Sequence, residues 1–563
     1  MRKLLLITSM LCYMAGAWSQ DVASKKVVNR DNNPSKKYLR PSITVLFAKR
    51  NNDRSARMEK VFQAAKTQDK YNNHNVSTFA IEPSNDYSKY LSENVSRQIV
   101  AKWFNRNEKG QFDMNLIAER GFYNASDADV LKANASVRKD ALLADAGENL
   151  LDRSYILIYD IDPILTMDEY YKRIGTPNNL MEGYAVQYKV SVYKLDWTDS
   201  VAAVFYNMWT DASSPDPNKV AAFDKTNFPV KYVGQVSTAF GWVTSSQFKD
   251  HSKNIFGSYS DDELFARIYP LIEKETSISL PKLNEDFRVK TPVYSTHPIA
   301  AKIGLKEGLS VDKRFFVYEY ELTNSGEKKA VRKAVIRATS RIADNRKVAT
   351  GRSDSSVFYQ VAGRKVYEGM QLQENPDWGI GLTVGYGSTS GAIGEGLTGI
   401  LEMNASLWAG NVFKGLPPGI KIYAQGSLGT DPFKLKNGTY YNEEYDITSY
   451  SFGISKDLNF LHHFVLVPFV GYGQEQLTNT KTDDDERKND KYDGTFLQFG
   501  ARFGMNLNYN FQLIASYSAY SYLSLEPNTD NPNKESQIVK DWAEELKKGR
   551  GLGQLTIGLR YQF

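Results

Sequence analysis

Cysteine is nearly absent from this 563-residue chain, which holds one, Cys12, and only five histidines. If the segment around Cys12 is removed on export, no thiol remains, and disulfides, thiol catalysis and thiolate metal sites are excluded together. Beyond the first twenty positions there is no uninterrupted apolar stretch of about 18 residues, which excludes a transmembrane helix there. Charge of one sign is also lacking. The 70 Lys and Arg against 65 Asp and Glu leave a net charge of +5 with no dense tract, which argues against a nucleic-acid partner. What is present is length and apolar content. At 41% hydrophobic residues the chain has enough for real cores and for three or four domains of about 150 residues each.

The first segment reads as an address. Arg2 and Lys3 precede an apolar run from Leu4 to Gly16, and Ala17-Trp18-Ser19 supplies the small-residue pattern for cleavage before Gln20. Leu11 directly before Cys12 breaks the pattern that lipid attachment requires. Residues 1–19 are therefore expected to be a signal peptide and 20–40 a flexible basic leader.

Residues 41–280 suggest an α+β domain. Ser42 to Ala48 and Tyr155 to Tyr159 are β-branched or aromatic runs that fit buried strands, the second ending at Asp160 and Asp162. Ser126 with Asp127 and Asp129 is expected to start a helix whose apolar face includes Val130, Val137, Leu142 and Leu150. Tyr184–Tyr193 and Val201–Trp209 flank Asp196–Ser200 as an expected hairpin, and 260–275 reads as helical. Leu280-Pro281 is taken to open a small β domain over 281–375, with strands at 315–320, 334–338 and 357–361.

Within that domain Ile303-Gly304-Leu305 to Gly308-Leu309, Phe315-Phe-Val-Tyr318 and Val366-Tyr-Glu-Gly369 carry a glycine-punctuated pattern. About 70 residues in this part resemble the C-terminal domain of FlgT-type envelope proteins, although Met370 stands where that family prefers an acid. The strand-then-helices order of the preceding domain resembles the periplasmic domains of curli-secretion and TolB-like proteins, without a diagnostic motif.

After Pro376 the pattern becomes regular. Eight alternating runs fall at 378–387, 398–409, 419–429, 447–456, 464–473, 494–505, 509–522 and 553–563. In the last, Leu555, Ile557, Leu559, Tyr561 and Phe563 alternate with Gln554, Thr556, Gly558, Arg560 and Gln562. Runs of about 9–11 residues suit tilted strands crossing a bilayer, with aromatic ends at the interfaces. The fold class expected is an α+β periplasmic region followed by an eight-stranded antiparallel transmembrane β-barrel over 376–563, resembling Gram-negative outer-membrane barrels. Tyr561 and Phe563 match their terminal signal. Connectors 388–397, 430–446, 474–493 and 523–552 are long and read as outward loops, while 410–418, 457–463 and 506–508 read as inward turns.

Alternation aims Glu402, Asn404, Lys421, Gln425, Gln498, Arg502, Gln512, Arg560 and Gln562 into the lumen. Buried charges must be paired, so Glu402 is expected to bond one or more of Lys421, Arg502 and Arg560. Residues 534–548 are expected to be a helix stopped by Gly549, with Ile538, Val539, Trp542 and Leu546 as a stripe for the barrel mouth or a partner. His74, His251, His297, His462 and His463 all fall outside the outward loops, which disfavours His-based barrel enzymes. Asp483–Glu486 beside Arg487 and Lys488 reads as a solvated loop, and Gly387–Gly396 lacks the following helix that a phosphate cradle needs.

Together these features suggest a non-catalytic outer-membrane scaffold or accessory for envelope assembly, transport or secretion. No catalytic residue, metal site or cofactor is expected; the partners expected are outer-membrane lipid and other envelope proteins or peptidoglycan. Adhesion through the outer loops and a hydrolase or acyltransferase are the alternatives.

Overall fold

The computed structural model describes residues 40–117, 150–238, 241–255, 257–322, 328–346, 354–389, 394–409, 416–436, 440–481, 489–528, 537–550 and 553–563. The expected signal peptide, leader, 126–149 helix face and Asp483–Glu486 loop lie outside them. The chain forms two compact units, the first reaching Lys290 and also taking Leu305–Gly308 and Asp344–Asp354.

The first unit is built on a mixed sheet. β1 (Ser42–Ala48) runs parallel to β2 (Ser154–Thr166), which pairs antiparallel with β3 (Met181–Leu195); β3 in turn pairs with β4 (Val230–Ser237) and β5 (Val243–Phe248). Period-two geometry sends Ile43 and Phe47 to one face, and Leu46 and Ala48 to the other. Each face is covered. On the first, α1 (Asp53–Ala64), capped by the Asn52 side chain, packs through Met58 and Phe62. On the second, α2 (Ser96–Trp103) packs through Ile99 and Trp103. Helix α3 (Met167–Arg173) opens with a capping box between Thr166 and Glu169.

Two expectations need correction here. Val201–Trp209 is no second hairpin strand, because α4 (Asp199–Asn207) occupies it, with the Thr198 hydroxyl accepting from the Val201 amide. Phe205 and Met208, buried three residues apart, follow helical rather than alternating spacing. Likewise Pro281 opens no new unit, since it lies in the last turn of α5 (Ile268–Leu283), and the second unit starts at Thr291.

In the second unit the small β region and the barrel form one compact body rather than separate domains. The small sheet contains β6 (Arg314–Leu322), β7 (Lys328–Ala338), β8 (Ser356–Gly363) and β9 (Gln371–Glu374), in the order β9, β6, β7, β8. The barrel follows as β10 (Ile380–Gly387), β11 (Glu395–Asn404), β12 (Ile420–Lys436), β13 (Tyr440–Lys456), β14 (Phe464–Lys481), β15 (Lys491–Asn506), β16 (Phe511–Pro527) and β17 (Gln554–Gln562). Each strand pairs with the next, and β17 closes on β10 from Gly381–Gln562 to Gly387–Thr556. Each of the eight expected runs contains a barrel strand, but the second, 398–409, leaves its strand at Asn404 and ends in a short helix over Ala405–Ala409. The barrel contains no part of residues 183–209.

Alternation builds the wall as the pattern implies. Leu555, Ile557 and Leu559 point outward at 46%, 60% and 51% exposure, while Gln554, Thr556 and Arg560 are buried inside. Val384, Leu401, Ile454, Val470 and Phe499 extend this outward apolar band around the circumference. Of the expected long outer loops, 430–446 and 474–493 are mainly strand instead among the described residues, while 523–552 holds a helix. β12, β13, β14, β15 and β16 run to 16–18 residues, against 8–10 for β10, β11 and β17, so one side of the wall stands tall. Pairing continues there because the inward row still has an apolar body to cover, α6 (Gln537–Arg550). Gly549 lies within the last turn of α6 rather than beyond it.

Placing a charge on the outward face should cost about 2–4 kcal/mol near the bilayer midplane. Leu559→Arg is expected to lose that much in urea unfolding from lipid vesicles, and an unchanged midpoint would count against the lipid-facing assignment. In the first unit, the side-chain hydrogen bond from Arg54 holds the Glu169 carboxyl down from its ordinary 4.5 to about 2. A depressed acid stabilises the fold above its unfolded range and loses that contribution as pH falls from about 4.5 towards 2. Glu169→Gln should remove that part of the acid dependence, read by urea midpoints at pH 7 and pH 3.

Candidate functional site: a plugged barrel lumen

Along the lumen the inward row supplies polar side chains layer by layer. Tyr423 and Ser451 donate to Gln498 Oε1 at 3.2 and 2.7 Å, and Gln498 Nε2 donates to Ser518 at 3.2 Å. Gln554 Nε2 donates to Thr398 at 2.9 Å. In these layers the inward polar groups bond to one another across the narrow eight-stranded interior.

The charged layer lies toward the inner end. Glu402 receives Arg560 Nη2 at 2.5 Å and Arg502 Nη1 at 3.2 Å, with all three side chains at 2–3% exposure. The Arg502 guanidinium is flanked by Phe469 at 4.3 Å and Tyr423 at 4.7 Å from the ring centroids. Arg560 Nη1 also donates to Gln512 at 3.2 Å. Lys421 instead pairs with Asp457 at 2.6 Å, whose other oxygen lies 3.8 Å from Arg560. Sequence reasoning assigned Asp457 to a turn and missed it. The signal was available in the parity of β13, because Asp457 lies two residues beyond the inward Ser455.

The inner mouth is closed by the small sheet. Asp312, fully buried, accepts from Tyr359 at 2.6 Å, Asn404 Nδ2 at 3.0 Å and the Gly419 amide at 2.6 Å, which ties the sheet to β11 and to the turn before β12. Asn506 donates to the Val361 carbonyl at 3.0 Å, and the Arg332 guanidinium stacks on Tyr509 at 3.9 Å. Arg337 donates to the Asp312 carbonyl and pairs with Asp377. Burial opposes the Arg337 charge, but the Asp377 carboxylate outweighs it and holds the guanidinium pKa above its ordinary value. A cavity of about 20 Å³ remains at this junction, room for about one water, lined by Asn404, Lys421, Asp457, Gln562, Arg337 and Asp377 among others.

At the outer mouth Trp542 and Leu546 of α6 pack among Tyr445, Ile447, Leu477, Tyr492 and Leu525. The side chains of Ile538 and Val539 lie outside the described residues. The helix face expected for a partner or for the barrel mouth therefore packs against its own wall at Trp542 and Leu546. The terminal residues close the seam: Tyr561 lies 4.8 Å from Phe511, and Phe563 donates to the Ile380 carbonyl at 2.9 Å.

The remaining candidates are dispersed. His74 is buried with Nε2 2.9 Å from the Ile99 carbonyl, His251 sits 2.8 Å from Glu182, and His297, His462 and His463 are exposed. Asp160 and Asp162 pair with Arg50 at 2.9 and 3.6 Å. Among the described residues no three His, Cys, Asp or Glu converge as metal ligands.

Comparison with known proteins reaches the barrel. A major outer membrane protein from Thermus thermophilus aligns over 33% of this chain and 98% of its own, at 15% identity and a TM-score of 0.22. Ail of Yersinia pestis, in complex with the heparin analogue sucrose octasulfate, aligns over 33% and 97% at 14% identity and 0.19. CarO of Acinetobacter baumannii aligns over 33% and 98% at 13% identity and 0.18. These are likenesses of fold, to outer-membrane barrels. No family model and no curated protein matches the chain, so the FlgT-type resemblance gains no support.

Removing Glu402 would strand two buried guanidinium groups, which costs about 3–5 kcal/mol for a broken buried pair. Glu402→Leu is expected to lose that much in equilibrium unfolding, and Glu402→Leu combined with Arg502→Leu and Arg560→Met to recover most of it. Equal losses in both variants would mean that lumen volume rather than charge pairing sets the stability.

Proposed function

We propose that the chain is an outer-membrane anchored scaffold or accessory for envelope assembly, transport or secretion, with its N-terminal region in the periplasm and without catalysis of its own. The observation that carries this reading is the plugged barrel. A lumen filled by its own layers, closed inside by the small sheet and outside by α6, suits an anchor better than a diffusion channel. An even strand count brings Ile380 and Gln562 to one rim, and the small sheet sits at that rim. Residues before it are then on the side of Phe563, the periplasmic side in barrels of this kind. The partners that fit are outer-membrane lipid and other envelope proteins or peptidoglycan; nucleic acid and cofactors have no part in the reading.

A second reading, adhesion at the cell surface, draws on the tall wall. Asp446, Asp493 and Glu526 face outward and exposed on its upper part, a polar surface beyond the apolar band. The two readings diverge under protease treatment of intact cells. The scaffold reading expects residues 42–372 to survive until the outer membrane is permeabilised, and cleavage from outside would sink it. Purification in mild detergent should then bring down other envelope chains or peptidoglycan fragments, whereas isolation alone would remove the scaffold role.

A further inference from the structure

The face of the small sheet that closes the inner mouth does not end at the barrel wall. Along β7, Arg337 lines the cavity at the mouth, and Val335, on the same side of the strand, packs with Phe316 and Ala362 against Tyr509 in the rim turn between β15 and β16. Past this point the ladder slips by one residue. Val317 faces Ala334 but Tyr318 faces Arg332, which leaves Lys333 as the extra residue of a bulge. The slip brings Arg332 to the side of Phe316, with its guanidinium 4.6 Å from that ring and 3.9 Å from the Tyr509 ring. Lys333 goes to the other side, where it pairs with Glu319 and Glu321. At about 3.3 Å per residue the hairpin then runs on from the rim through Arg332 and Ala330. A face that is aimed at the barrel's inner end below the lumen is aimed, past the wall, at the bilayer surface around it.

The residues of this face past Phe316 and Val335 are Tyr318, Tyr320, Ala330 and Arg332, and none is acidic. Arg332 is exposed and has no carboxylate partner among the described residues; the hairpin's acids, Glu319 and Glu321, are held by Lys333 on the opposite face. The rim turn, Leu507 to Asn510, adds no acid either. On the two sides of Tyr509, Leu507 and Phe511 are 53% and 41% exposed, and Leu507 continues the outward row of Phe503 and Met505. The guanidinium stacked on Tyr509 therefore lies beside the edge of the lipid-facing wall, within the same compact body. Aromatic side chains with an unmatched cation at that height suit a phosphate-bearing headgroup.

We propose that the β6–β7 hairpin lies along the headgroup surface beside the barrel's inner rim, where Arg332, braced on Tyr509, holds an anionic phospholipid headgroup. This rests on the barrel crossing the bilayer, and not on the scaffold role or on the side taken by the first unit. The test uses the full chain with Cys12→Ser and Ala330→Cys carrying an environment-sensitive fluorophore, in nanodiscs of phosphatidylcholine and phosphatidylglycerol. Lipid spin-labelled at the headgroup is expected to quench the emission several-fold, while the same fluorophore at Glu321→Cys, on the opposite face, keeps most of its emission. A spin-labelled anionic lipid should quench residue 330 more strongly than spin-labelled phosphatidylcholine, and Arg332→Gln should remove that preference. Equal quenching by the two lipids, or a preference that Arg332→Gln leaves intact, overturns the headgroup assignment. A fluorophore at Leu559→Cys, quenched by acyl-chain spin labels, reports insertion of the barrel in the same discs. If residue 559 is quenched and residue 330 is not, the proposal falls alone; if neither is, the embedding on which it rests falls with it.

Discussion

Charge pairing across the lumen is the constraint on which the second unit depends. Eight strands leave no room for a solvated channel, so each inward charge must find its counterpart inside the wall. Glu402 on β11 meets Arg502 on β15 and Arg560 on β17, strands that are separated around the barrel, and so acts as a strut across it. Room for large inward side chains comes in part from glycine. Farther out, a Cβ on Gly473 would come within 2.5 Å of the Phe496 ring. Small residues opposite large ones are what let a narrow barrel fill itself.

The same logic explains why the small sheet and the barrel form one body. Asp312 is a buried carboxylate whose acceptors are satisfied partly by its own sheet, through Tyr359, and partly by the barrel, through Asn404 and the Gly419 amide. Separating the two would leave that charge without two of its three donors in a desolvated site, which is expensive. Polar groups divided between two elements bind them more specifically than an apolar contact would. The inner mouth is therefore sealed by structure that belongs to the barrel's own fold.

Much of this was legible because period two survives in any strand with one wet and one greasy face. All eight barrel strands, the inward set around Glu402 and the closing role of the last strand followed from alternation alone. What was not legible depended on tertiary context. Asp457 pairs with Lys421 because β13 carries its inward parity past the apparent strand end, and no local signal marks how far pairing persists. The tall wall has the same origin: Tyr445, Leu477 and Tyr492 continue inward because α6 lies against them, an element distant in sequence. Val201–Trp209 misled in the other direction, since a short apolar run is compatible with either period until Phe205 finds Phe104 at 4.2 Å.

The first unit has two covered sheet faces, with Ile43 and Phe47 packed on one side and Leu46 and Trp103 on the other, so its broad surfaces are spent on its own stability. Its remaining freedom lies at edges and loop tips, where side chains can protrude without opening a core. Leu180 and Ile255 occupy such positions, 59% and 90% exposed. Apolar surface of this kind costs solubility unless something covers it.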